Sequence, residues 1–118
     1  MREQAHVRGE VSFSPPPGDL SQAKLFIRLE DTSYADAPAE TIAETTLTNL
    51  GELLTPAGTI PFTISTSAID PRQRYTISAH ATIDGTDRLK PGDYINVEDY
   101  PVLTFGHPAQ VTIEIRLF

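Results

Sequence analysis

Arg74-Tyr75-Thr76-Ile77-Ser78-Ala79-His80-Ala81-Thr82-Ile83-Asp84 is the stretch whose reading sets the fold class. Tyr75, Ile77, Ala79, Ala81 and Ile83 alternate with Arg74, Thr76, Ser78, His80 and Thr82. This period of two puts successive side chains on opposite faces of a strand. One face is apolar and the other polar, which predicts a half-buried strand over about residues 74–84, with His80 solvated on the outer face. Asp84-Gly85-Thr86-Asp87 closes the strand as a turn, since Asp-Gly supplies the positive φ that tight turns need.

The same alternation recurs on both sides. About residues 6–13 place Val7, Val11 and Phe13 on one face with Gly9 in line, and Pro15-Pro16-Pro17-Gly18-Asp19 ends the run. About residues 23–31 alternate Leu25, Ile27 and Leu29 against Lys24, Phe26, Arg28 and Glu30, leaving Phe26 as a large apolar residue on the outward side. Thr41 to Leu47 is rich in β-branched residues, and about residues 58–66 alternate Ile60, Phe62 and Ile64 against Pro61, Thr63 and Ser65. Pro61 lacks an N–H to donate, so that strand is expected at an edge or at a bulge. The last run, about residues 109–117, sets Val111, Ile113, Ile115 and Leu117 against Thr112, Glu114 and Arg116. Between Tyr94 and Phe105 the pattern is mixed and broken by Pro101. Helical periodicity is confined to Asn49–Leu54, where Gly51 and Pro56 allow about one turn. Short strands separated by turn chemistry predict an all-β fold: a compact seven- to eight-stranded antiparallel β-sandwich, immunoglobulin-like or transthyretin-like, with an open barrel as the alternative.

The chain has 118 residues, which makes one domain over 1–118, with residues 1–6 set apart as an N-terminal tail. Nine Lys and Arg against 16 Asp and Glu give a net charge of -7, which argues against a nucleic-acid partner because phosphate binding needs clustered cations. The absence of cysteine excludes disulfides, thiolate nucleophiles and zinc ribbons. Apolar runs are too short for a signal peptide or a membrane span.

Four stretches stand out in order: Leu29-Glu30-Asp31-Thr32-Ser33-Tyr34-Ala35-Asp36-Ala37-Pro38-Ala39, Ile60-Pro61-Phe62-Thr63-Ile64, Ile69-Asp70-Pro71-Arg72-Gln73-Arg74-Tyr75-Thr76-Ile77-Ser78-Ala79, and Tyr100-Pro101-Val102-Leu103-Thr104. This succession resembles the small envelope lipoproteins that include the YscW-type lipoprotein chaperones of type III secretion (pilotins) and the YbaY-type lipoproteins, over about Val7 to Leu117. The resemblance implies a compact β-sandwich and a non-enzymatic accessory domain that binds another protein, as pilotins help an outer-membrane secretin reach its place. It implies a bacterial periplasmic or cell-envelope location. The relatives carry a leader and a lipid-modified cysteine, which this sequence lacks; that leaves open a cytoplasmic protein or a mature domain without its leader.

Candidate sites follow from residue types. Phe26 on its polar strand face, Tyr34 in a loop and Tyr94 beside a Pro-broken segment are expected to form an aromatic partner-binding patch, since aromatic residues anchor interfaces. Tyr100 is expected to act as a corner, its hydroxyl bonding backbone. Asp31 and Asp36, in an acidic segment from Glu30 to Glu40, are the candidate ligands of a hard cation. The competing role for Asp31 is a turn in which its carboxylate accepts a backbone N–H. An ion- or small-ligand-binding domain built on that segment is the alternative function. His6, His80 and His107 are far apart and show no zinc spacing, and no nucleophile elbow or phosphate loop is present. No catalytic residue, metal centre or cofactor is therefore assigned.

Overall fold

The missing N–H of Pro61 sits where the sheet has no neighbour to receive it. In the computed structural model, which describes residues 3–34 and 36–118, eight strands and one helical turn follow the chain: β1 (Glu3–Ser14), β2 (Lys24–Asp31), β3 (Glu40–Leu47), α1 (Leu50–Leu53), β4 (Thr59–Ile69), β5 (Tyr75–Thr82), β6 (Tyr94–Asn96), β7 (Pro101–Val102) and β8 (Gln110–Leu117). They form one sheet in the order β3-β2-β5-β6-β8-β1-β4, with β7 added on β5. β4, carrying Pro61, is an end strand, as a proline in a ladder requires.

Two features correct the expected antiparallel sandwich. β1 and β8 pair in parallel, from Arg8↔Gln110 to Ser14↔Arg116, so the sheet is mixed. The strands also lie on one continuous path, curled until the end strands β3 and β4 approach each other, a nearly closed barrel-like sheet. A period of two reports which face is buried; it is blind to strand direction and to whether the apolar face meets a second sheet or its own far side.

The inner faces share one core to which Val11, Leu25, Ile27, Ile60, Ile77 and Ile113 each contribute a fully buried side chain. Gly9 keeps its place in that face because a Cβ there would lie 2.2 Å from the Val111 carbonyl oxygen and 2.8 Å from the Phe62 ring. The ring of Phe62 thus occupies the space a side chain on β1 would need. Glu3–His6, expected as tail, belong to β1, which pairs Ala5 with Thr66 and His6 with Ser65.

The registers fix the two ends of the barrel. Asp31 pairs with Tyr75 and Arg8 with Gln110, so the β2–β3, β4–β5 and β7–β8 connections gather at one end. Leu25 pairs with Leu47 and Tyr94 with both Ala81 and Leu117, which puts residues 15–23, 48–58 and 83–93 at the other. There Asp93, 1% exposed, accepts from the Ile83 and Lys90 backbone N–H groups, each at 2.9 Å, and ties the long 83–93 connection down.

Candidate functional site

At the first end, short polar residues do the local folding. The Asp31 carboxylate accepts the Ser33 N–H at 2.9 Å, which turns the chain out of β2. The Arg74 N–H then donates to Ser33 Oγ at 2.8 Å, and Thr32 N–H donates to the Arg74 carbonyl at 2.9 Å. Tyr75, buried at the start of β5, accepts the Asp70 N–H on its hydroxyl at 2.9 Å and donates to Gln73 Oε1 at 3.2 Å. Both connections are thereby tied to one another and to the core.

The third connection is the unusual one. Leu103 and Phe105 adopt φ of 74° and 56°, left-handed values that non-glycine residues avoid at a cost of about 1–3 kcal/mol each. Thr104 between them is buried and donates its hydroxyl to the Gln73 carbonyl at 2.6 Å. Leu103 N–H donates to the Pro108 carbonyl at 3.1 Å and His107 N–H to the Thr104 carbonyl at 3.0 Å. These bonds hold a conformation that leaves the Phe105 ring 55% exposed. The Arg74 guanidinium carbon lies 4.7 Å from the centre of that ring, a cation–π contact.

Thr32, Arg74, Tyr75, Asp99, Thr104, Phe105 and His107 line a cavity of about 390 Å³ between these connections. A shallower hollow of about 450 Å³ lies across the 70–74 turn, lined by Ser33, Tyr34, Asp70, Arg72 and Gln73. Arg72 is committed to Asp70, Nε to Oδ1 at 3.1 Å and Nη2 to Oδ2 at 3.0 Å, and these bonds raise its pKa further. Arg74 and Asp99 have no ion-pair partner among the described residues, although both face the same cavity.

The expected aromatic patch does not form. Tyr34 is 68% exposed at this end. Tyr94 is 4% exposed, packed edge-on against Phe13 at 5.1 Å, and donates its hydroxyl to the Pro15 carbonyl at 2.9 Å. Phe26 does lie on the outer face, but it is only 7% exposed because His80 stacks on it with centroids 4.7 Å apart. His80 is accordingly half-buried rather than solvated. Thr82, placed outward by alternation, is fully buried at the far end, and its hydroxyl lacks a hydrogen-bond partner among the described residues. Tyr100 meets expectation as a corner, accepting the Glu114 N–H on its hydroxyl at 3.0 Å.

Asp31 serves its turn and Asp36 is exposed. Among the described residues no three His, Asp or Glu side chains converge on a metal position. No helix among them is long and apolar enough to cross a membrane.

Residues 2–115 match the YscW family, described as type III secretion system lipoprotein chaperones. The chain belongs to the YscW family. No curated protein matches this YscW-family chain. Its fold is similar to that of an alternative pilotin from the type II secretion system of Vibrio cholerae, with a TM-score of 0.80 and 24% identity over 98% of each chain.

Arg74 and Phe105, which build the cavity of this YscW-family domain, were absent from the expected patch. The signal for Phe105 is its neighbourhood: an aromatic residue beside Gly106-His107-Pro108 falls in a turn and cannot be buried by alternation. Arg74 carries no such mark, because its aromatic contact comes from Phe105 being folded over it.

Proposed function

We propose that the chain is a non-enzymatic accessory domain of the cell envelope that binds a protein partner, a secretin-type client, through the end of the barrel around Phe105, Arg74 and Tyr34. Family membership supports a chaperone role. The observation that carries the surface is Phe105, held exposed by a backbone strained at Leu103 and Phe105 and fastened by buried Thr104. Strain of this kind gathers at functional sites, and exposed aromatic and arginine side chains are the usual anchors of interfaces.

The test is co-expression of the full chain with the secretin of the same organism and measurement of its co-purification. Phe105→Glu and Tyr34→Glu are expected to reduce the recovered complex at least tenfold, while Leu117→Glu, exposed at the opposite end, leaves it unchanged. Undiminished recovery with both variants, each folded by circular dichroism, would refute this surface.

A further inference from the structure

Within that reading, on which the following rests, the cavity specifies the chemistry of the segment it takes. Its two formal charges are opposite, Arg74 and Asp99, and neither is neutralised by an ion pair among the described residues. The contrast with the neighbouring hollow is informative. There Arg72 is satisfied twice by Asp70, so of the two arginines in the 70–74 turn only Arg74 is available to an incoming anion. Arg74 is also positioned in advance: its backbone is bonded on both sides to residues 32–33, and its guanidinium lies against Phe105. Less side-chain freedom is lost when it meets a carboxylate, which lowers the cost of binding. The Phe105 face and Pro101 provide apolar surface beside these charges.

We propose that the bound element is a partner segment carrying both charge signs around an apolar side chain: an acidic residue directed to Arg74, a basic residue directed to Asp99, and the apolar side chain seated against Phe105. The chain's net charge of -7 by itself favours a basic segment. A purely basic segment would, however, leave the Arg74 guanidinium facing a like charge in a cavity of about 390 Å³. A purely acidic one would do the same to Asp99. A segment of mixed sign satisfies both.

Two charge reversals distinguish the three cases, measured as Kd of the full chain for the purified secretin at low and moderate salt. Arg74→Glu and Asp99→Lys are each expected to weaken binding by about three- to tenfold, and the wild-type affinity is expected to fall as salt rises. If Arg74→Glu weakens binding and Asp99→Lys strengthens it, the segment is acidic and the proposal fails. The reverse pattern makes the segment basic, and the proposal fails equally. If neither reversal matters while Phe105→Glu abolishes binding, the surface stands and the charge complementarity is refuted. If Phe105→Glu is also without effect, the reading of this end as the interaction surface falls with it. Both positions are exposed, and a thermal melt of each variant confirms folding; Arg74→Gln and Asp99→Asn give the same comparison by neutralisation should a reversal fail to fold.

Discussion

Phe26 and His80 face each other across the β2–β5 ladder with ring centroids 4.7 Å apart and planes inclined by 17°. They lie on the outer face of the sheet, yet Phe26 is almost fully covered. Arg28 and Glu44 pair at 2.5 Å next along the same face. A residue packed this way stabilises the fold instead of waiting for a partner. Phe26→Ala is expected to lower stability by about 1.5–3 kcal/mol and leave the proposed partner binding intact once folded protein is compared with folded protein. Urea unfolding beside the co-purification assay checks both halves; a variant of unchanged stability that loses its partner would contradict the assignment.

His80 makes stability depend on pH. Burial, with the nearby Arg28 charge acting in the same sense, pushes its imidazole below the ordinary value of 6.5. The unfolded chain therefore binds a proton more readily than the folded one, so stability is complete above 6.5 and declines as pH falls below it towards the folded-state value. His80→Gln is expected to flatten this slope. Melting temperatures of both proteins between about pH 5 and 8 at fixed ionic strength provide the comparison, and parallel curves would rule the mechanism out.

Gly9 is required by its neighbours. A Cβ would collide with the Val111 carbonyl at 2.2 Å, a backbone atom with little freedom to yield, and with the Phe62 ring at 2.8 Å. Gly9→Ala is expected to cost about 1–3 kcal/mol, against the usual small effect of adding a methyl group within a strand. Phe62→Leu in the same background relieves the ring contact but leaves the carbonyl contact, so it should recover only part of the loss. Full recovery in a double-mutant cycle would show that the parallel β1–β8 approach is not the limiting one.

Asp84 gives an acid limb. Its carboxylate pKa is lowered to about 2, first by the hydrogen bond from Lys90 and then by the Thr86 backbone and hydroxyl donors. A group depressed in the folded state contributes stability above its ordinary value of 3.8 and loses it as pH falls towards 2. The difference in melting temperature between wild type and Asp84→Asn should therefore be present at neutral pH and close between about pH 4 and 2. A difference that persists at the acid end would mean that the turn geometry, not the charge, is what the substitution removes.

How much was legible depends on whether a local signal existed. The strands at Lys24–Asp31 and Gln110–Leu117 are where alternation places them, Glu40–Leu47 is where its β-branched residues place it, and Pro61 correctly marks an end of the sheet. The corner role of Tyr100 and the turn role of Asp31 follow from side chains acting on backbone close to the places composition indicates. Phe26 and Tyr94 misled for opposite reasons. Alternation puts Phe26 on the outer face correctly, but whether an outer face is wet depends on what the next strand lays over it. Tyr94 sits in a segment too short for periodicity to assign, and its burial is decided by Phe13 and by Pro15, the latter 79 residues away.

The sequence by itself determined the all-β class, the buried face of each long strand, the turns and the family, because these rest on side-chain period, on proline and glycine stereochemistry and on motif order. Strand direction, the closure of a single mixed sheet and the cavity at its end were decided only by tertiary structure. β1 can lie parallel to β8 because the curled sheet brings the two together, and Arg74 meets the Phe105 ring because Thr104, thirty positions away, anchors the strained loop that carries Phe105 over it. Such contacts form between segments that carry no mark of each other until the core has been closed.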